Sequence, residues 1–172
     1  MKLPISPSVQ KITIVGNIAA GKTKLSLQLS KRLNIPVTHV DAIQFDSQLN
    51  IVNLEHTRNT LKQVEQQEAW IIDGQGPLEM FENRFKLADQ IIFIDLPVYM
   101  NFILLTYRLL KSIFSPRKEL PPGSRELSWN HIKKQYRTTW IIHKKMRPEL
   151  IRMLRRKEFC DKVMTLTKLG AY

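Results

Sequence analysis

The sequence predicts an α/β fold of three layers, α/β/α, in which a parallel sheet lies between two layers of helices. Two observations carry this prediction. Five short β-rich runs alternate with segments of helical spacing, a pattern that places parallel strands side by side with helices on both faces. A glycine-framed loop, Gly16 to Thr23, joins the first β-rich run to the first helical segment.

The elements follow in chain order. Lys11 to Val15 is a β-rich run ending on Gly16. Lys22 to Leu33 carries Leu25, Leu29 and Leu33 at helical spacing, so a helix starts at the loop and Pro36 closes it off. Val37 to Val40 is a short strand ending on Asp41, and Leu54 to Gln67 is a helix with a polar face. Ala69 to Ile72 is a strand capped by Asp73-Gly74. Gln90 to Leu96 is a strand of the fully buried kind, stopped by Pro97, and Val98 to Ile113 is a helix. Ser115 to Pro122 holds three prolines and reads as a loop. Ser128 to about Lys145 is a helix with a restart at Pro148, a residue suited to a first turn, and Lys162 to Leu166 is a last short strand. There is no internal repeat.

Composition narrows the class. The 172 residues suit one compact domain, 1–172, and 43% of them are apolar, as in ordinary globular chains. No stretch reaches the ~18 continuous apolar residues of a membrane span. The greasiest region, Ile91 to Leu110, is broken by Asp95, Pro97, Asn101 and Arg108. The first ten residues hold two prolines and no apolar run, so no secretory signal is expected and the cytoplasm is the expected compartment. A single cysteine, Cys160, excludes an internal disulfide framework and reads as a packing residue. The formal net charge is +12, and its location is informative: 15 Lys/Arg stand against 3 Asp/Glu between Leu105 and Lys157, while the rest of the chain has 12 of each. A local surplus of this kind points to a polyanion docking there.

The loop reads Gly16-Asn17-Ile18-Ala19-Ala20-Gly21-Lys22-Thr23, followed by Lys24, and fits the phosphate-binding pattern of glycine, four residues, Gly-Lys-Thr. Backbone N–H groups curl around a phosphate there, and the helix N-terminus adds positive potential. Lys22 reaches the β- and γ-phosphates of a nucleotide, and Thr23 offers a hydroxyl to Mg²⁺. The metal needs an acid. Asp73 ends the third strand, and ligands gather at the carboxyl ends of parallel strands, so Asp73 is expected beside Thr23; the alternative is a turn aspartate before Gly74. Asp41 ends the second strand by the same rule and either binds a phosphoryl acceptor or accepts its proton, with Asp46 able to share the task; the alternative is a loop carboxylate. Asp95 also ends a strand, but Pro97 follows and a structural role is expected.

In the basic segment, Trp129, Ile132, Tyr136, Trp140 and His143 share one helical face, which reads as core packing. Lys133, Arg137 and Lys144 lie on the adjoining face, with Lys134 and Lys145 beyond. That basic face is a solvated surface or a lid over phosphates. Phosphoryl transfer needs cations around the transferred group, and the candidates are Arg108, Arg117, Arg125, Arg137 and Arg147, with Arg108 and Arg137 carried forward as catalytic. His39, His56, His131 and His143 show no metal-ligand spacing and read as satisfied or exposed.

These residues together resemble the adenylate-kinase-like P-loop proteins of the DNA topology modulation protein family. The P-loop, His39-Val40-Asp41-Ala42, Trp70 to Gly74, Ile92 to Pro97 and the basic aromatic segment Trp129 to Leu154 carry the resemblance, which spans Ile12 to about Leu166. It implies a P-loop NTPase core of nucleoside-monophosphate-kinase type, with a five-stranded parallel sheet, a short helical lid within about 105–157, and the use of ATP and Mg²⁺. Relatives usually carry a glycine where Ala19 stands, and such kinases often carry an arginine where Leu104 stands. The P-loop is also similar to that of deoxyribonucleoside kinases, whose Glu/Asp-Arg-Ser motif is missing here. The expected activity is Mg-dependent phosphoryl transfer from ATP to a small acceptor, a nucleotide or nucleoside. The rival from another class is a nucleic-acid-binding protein, switched by ATP, that influences DNA topology. An anionic membrane surface ranks behind both, because the aromatic stripe is read as core.

Overall fold

The computed structural model describes residues 3–46, 52–113 and 128–168. Five parallel strands form the sheet: β1 (Lys11–Gly16), β2 (Val37–His39), β3 (Trp70–Asp73), β4 (Gln90–Ile94) and β5 (Val163–Leu166), in the order β2-β3-β1-β4-β5. The strand order reverses direction about β1. The chain runs from β1 out to β2 and back to β3 on one side, then crosses to β4 and β5 on the other. The carboxyl end of β1 is therefore the switch point, where open α/β sheets bind ligands.

Alternation along the central strands builds two separate cores. Ile12 and Ile14 of β1, Ile71 of β3, and Ile92 and Ile94 of β4 face one side, packed against Leu25 and Leu29 of α1 (Lys22–Leu33). Met100 and Leu104 of α5 (Val98–Ser112) close over the same side, so Leu104, where an arginine is usual, packs against the core. Val15, Trp70, Ile72, Ile91 and Phe93 face the other side. They meet Leu61 of α3 (Leu54–Glu65), Phe81 and Phe85 of α4 (Phe81–Leu87), and Leu150 and Leu154 of α7 (Arg147–Leu154). Phe85 is fully buried between Phe81, stacked at 5.5 Å, and Phe159, edge-on at 5.8 Å. Phe85→Ala is expected to cost about 3–5 kcal/mol, read from urea unfolding. A loss below about 1 kcal/mol would mean that this aromatic cluster does not hold the layer.

Three local features differ from the expectation. β2 stops at His39, and Asp41 falls in the first turn of a five-residue helix, α2 (Val40–Gln44). That helix is too short to show periodicity in sequence. A 3₁₀ turn (Leu78–Met80) and α4 fill the stretch between β3 and β4, where no element was expected. The third is a correction. α6 (Trp129–Ile141) does not bury its aromatic stripe: Trp129 is 68% and Trp140 47% exposed. The buried side of α6 is polar, formed by Gln135 and Thr139, because that side is spent on contacts with Arg108 and the P-loop. Beyond α6 the helical path widens into a π turn (Ile142–Met146) before α7. Pro148 at the start of α7 explains it, since proline has no N–H to donate to the carbonyl four residues back. The proline-rich segment Ser115–Pro122, with Arg117, and also Arg125, lie outside the described residues.

Candidate functional site

The P-loop leaves β1 at Gly16 and enters α1 at Lys22. A Cβ on Gly16 would stand 2.5 Å from the carbonyl oxygen of Ile94 on the neighbouring strand, so only glycine fits there. Ala19 holds φ 58°, the left-handed region that favours glycine. This conformation costs an L-residue roughly 1–2 kcal/mol, whereas glycine loses about 0.4–1 kcal/mol through its looser unfolded chain. Ala19→Gly is therefore expected to leave stability unchanged or raise it by about 1.6 kcal/mol at most, as a denaturation midpoint would show. A clear loss would contradict the strain.

Asn17 organises the loop from within. Its Oδ1 accepts the N–H of Ile18 at 2.7 Å, and its Nδ2 donates to the carbonyl of Thr139 on α6 at 3.1 Å. Its own carbonyl accepts the Lys22 ammonium at 2.9 Å, so the lysine folds back across the loop. α1 begins without a side-chain cap and without an acid in its first turn. Its first N–H groups are thus left to an anion. Ile18 and Ala19 are half-buried, Ala20 is buried and Lys24 is exposed.

Asp73 stands beside this loop, as its strand position requires. Its register partners are Ile14 on β1 and His39 on β2. Oδ2 accepts from Ser26 Oγ at 3.3 Å and lies 2.9 Å from His39 Nδ1. Burial pushes the carboxyl up, but the hydrogen bond with His39, the Lys22 charge and the Thr23 hydroxyl together hold it below its ordinary value of 3.8. The consequence for acid stability has a definite sign. A depressed carboxyl stabilises the fold above the unfolded value of 3.8 and loses that contribution as pH falls through its lower folded value. Asp73→Asn should therefore flatten the stability loss measured below pH 3.8. An unchanged acid limb would refute the assignment.

The other expected residues are distributed as follows. Asp41 is half-buried two residues beyond His39, on the β2 side of the site. Arg108 donates to Gln135 Oε1, one turn before the Thr139 carbonyl that holds Asn17. Arg137 is exposed, about 200° around α6 from Gln135, and is not brought toward the loop. Arg147 grips Asp95 through both carboxylate oxygens, at 2.6 and 2.8 Å, beside a cleft that also touches Gly16, Asn17 and His143. The hydrogen bond to Asp95 raises the Arg147 guanidinium above its ordinary value; burial opposes this and the Asp95 charge adds to it. Asp95, just past the end of β4, is thus held in an ion pair.

Four contributors were not read from the sequence: His39, Ser26, Asn17 as a tether to α6, and Gln75, whose Nε2 donates to the Gly16 carbonyl at 3.3 Å. His39 could have been found by aligning the ends of the second and third strands. The reach of Asn17 to α6 spans 122 residues and leaves no local signal.

The residues present fit a hard cation. An ionised aspartate lies next to a threonine hydroxyl, two hard oxygen donors. Mg²⁺ is typically held in this sparse way, with substrate phosphates and water completing its shell.

No family model matches the chain. A tRNA dimethylallyltransferase of Parasynechococcus marenigrum (strain WH8102) is 42% identical over 45 residues, which is 26% of this chain and only 15% of that enzyme. Among solved structures, a shikimate kinase from Acinetobacter baumannii in complex with shikimate superposes with a TM-score of 0.52 over 96% of this chain and 87% of that one, at 13% identity. A shikimate kinase from Bacteroides thetaiotaomicron gives a TM-score of 0.47 at 19% identity, over 92% and 86% of the two chains. The chain has the P-loop kinase fold. At these identities the likeness concerns architecture alone.

Proposed function

We propose that this protein is an ATP-dependent kinase, a single kinase-like domain over 1–172 that transfers a phosphoryl group to a small acceptor, with a nucleoside or nucleotide as the leading class. The observation that carries the reading is the meeting of Thr23, Lys22 and an ionised, buried Asp73 at the switch point of the sheet. The P-loop amides from Asn17 to Lys24 bind the phosphates of ATP. Lys22 exchanges the Asn17 carbonyl for phosphate oxygens and offsets their charge. Thr23 and Asp73 hold Mg²⁺, which when bound neutralises charge on the β- and γ-phosphates. His39 and Ser26 fix the carboxylate that does this. Asp41, on the β2 side, contacts the acceptor and takes its proton. Arg108 is the lid cation that its contact with Gln135 supports. Arg137 is supported by its place in the basic segment alone, and the acceptor likewise rests on the sequence resemblance.

The test is ATP consumption across a panel of nucleosides, nucleoside monophosphates and small hydroxylated metabolites. One acceptor should raise turnover well above the basal rate, and a flat response across the panel would sink the kinase reading. Asp73→Asn should weaken the Mg²⁺ dependence of turnover by about 10- to 100-fold, seen as a shifted Mg²⁺ titration. An unshifted titration would move the metal role elsewhere.

A further inference from the structure

Eight of the twelve large hydrophobic residues exposed among the described ones gather on two neighbouring helices: Tyr99, Ile103, Tyr107, Leu110 and Ile113 along and just beyond α5, and Trp129, Trp140 and Ile141 on α6. The clustering follows from helix geometry. Tyr99, Ile103, Tyr107 and Leu110 recur at spacings of four and three, on the side of α5 opposite the buried Asn101, Leu105 and Leu109. Tyr107 is 65% exposed, although nothing about a tyrosine at that position requires it to face water. On α6, Trp129, Tyr136 and Trp140 share one side, about a quarter-turn round the helix from the buried Gln135 and Thr139. The two faces adjoin, because Tyr136 stacks on Phe102 at 5.8 Å and its hydroxyl meets Thr106 Oγ1 at 2.5 Å.

Among the described residues of these two helices, the charges are of one sign. Neither α5 nor α6 contains an Asp or Glu. Lys111, Lys133, Arg137 and Lys144 are all exposed on or beside it. Lys133 lies over the Trp129 ring and Lys144 over the Trp140 ring, each 5.2 Å from the centroid. Each exposed indole thus has an ammonium group over its ring.

We infer that the outer face of α5 and α6 is a peripheral docking surface for an anionic lipid bilayer. The pairing of residue types selects this occupant. Tyrosine and tryptophan settle at the headgroup level with an apolar body and a polar tip. Ile103 and Leu110 reach the acyl boundary, and the lysines meet headgroup phosphates, each adding about 1 kcal/mol near an anionic surface. A second copy of the chain would bring these same lysines against one another with no acid on either helix to offset them. Nucleic acid would use the cations and the rings but would leave the aliphatic residues without a partner. No described helix is long and apolar enough to cross a membrane, so attachment is to the surface. This surface does not depend on the kinase reading.

The full chain should co-sediment with vesicles of phosphatidylcholine and phosphatidylglycerol about tenfold better than with phosphatidylcholine alone, and less well as salt is raised. Phospholipids brominated near the headgroup should quench Trp129 and Trp140 but not the buried Trp70, so the chain with Trp129→Phe and Trp140→Phe should lose the quenching. The triple variant Tyr107→Ser, Trp129→Ser, Trp140→Ser should lose about tenfold or more in vesicle binding while keeping its unfolding midpoint. Equal retention on both vesicle types, or tryptophan emission unaffected by brominated lipid, would overturn the proposal. So would a single-stranded oligonucleotide, or a concentration-dependent dimer, whose binding disappears in the same triple variant.

Discussion

Lys22→Ala is expected to lower ATP turnover by about a thousandfold or more while shifting stability by less than about 1 kcal/mol. The two effects separate because of where the lysine sits. Its ammonium spans the mouth of the loop to the Asn17 carbonyl at 2.9 Å, and its stem is only half-buried. Removing it opens no cavity in either core. It does remove the one lysine between Gly16 and Thr23, which the proposed reading assigns to the phosphates. Arginine should not restore the rate, because a planar fork cannot replace a point charge within a closed ring of backbone. Lys22 also helps hold the Asp73 carboxyl below its ordinary value. The alanine variant should therefore show the acid limb of its stability curve moved upward in pH. Parallel measurement of steady-state ATP consumption and pH-dependent urea unfolding checks both statements. Full activity in the variant would place the site away from the P-loop.

The sequence carried the parts of this site that depend on local chemistry. Gly16 to Thr23 announced itself because the loop needs those residue types in one contiguous order. Asp73 was legible because a strand end followed by glycine fixes its position on the sheet edge. Contacts made across the chain were not legible. Asn17 to Thr139, Arg108 to Gln135 and Arg147 to Asp95 each join residues that are distant in sequence, and none has a pattern of its own. The aromatic stripe of α6 misled for a related reason. Periodicity reports that residues share a face but not which face is covered. Here the core side was the polar one, formed by Gln135 and Thr139, and the tryptophans were left outside. The short helices α2 and α4 gave too few turns for periodicity to register, so Asp41 was expected at a strand end and lies instead at the start of a helix.

The pair Glu65 and Arg84 is expected to be a sensitive point of the fold, on a par with Phe85. Their side chains are 2% and 0% exposed, with Arg84 Nε 3.2 Å from Glu65 Oε1. Asn83 donates to the other carboxylate oxygen at 2.9 Å, and Arg84 Nη1 donates to the carbonyl of Gln75 at 3.2 Å. The pair thus ties α3 and α4 to the segment after β3, whose Gln75 reaches the first residue of the P-loop. Burial pushes the Arg84 guanidinium down, while the charge and hydrogen bond of Glu65 oppose that. Glu65→Ala would leave the guanidinium charged, buried and without its counter-ion, at a cost of about 3–5 kcal/mol. That is a large share of the roughly 5–15 kcal/mol by which domains are stable. The attraction itself is worth much less than this cost, because both groups gave up their hydration to meet. Replacing both, as Glu65→Leu with Arg84→Met, should therefore cost clearly less than the two single changes added together. Urea unfolding of the four proteins of this cycle measures the coupling. Additive losses would show that the two side chains matter for their volume and not for their charges. In the double variant a lowered ATP turnover despite recovered stability would identify the grip on Gln75, and not the ion pair as such, as what the P-loop requires.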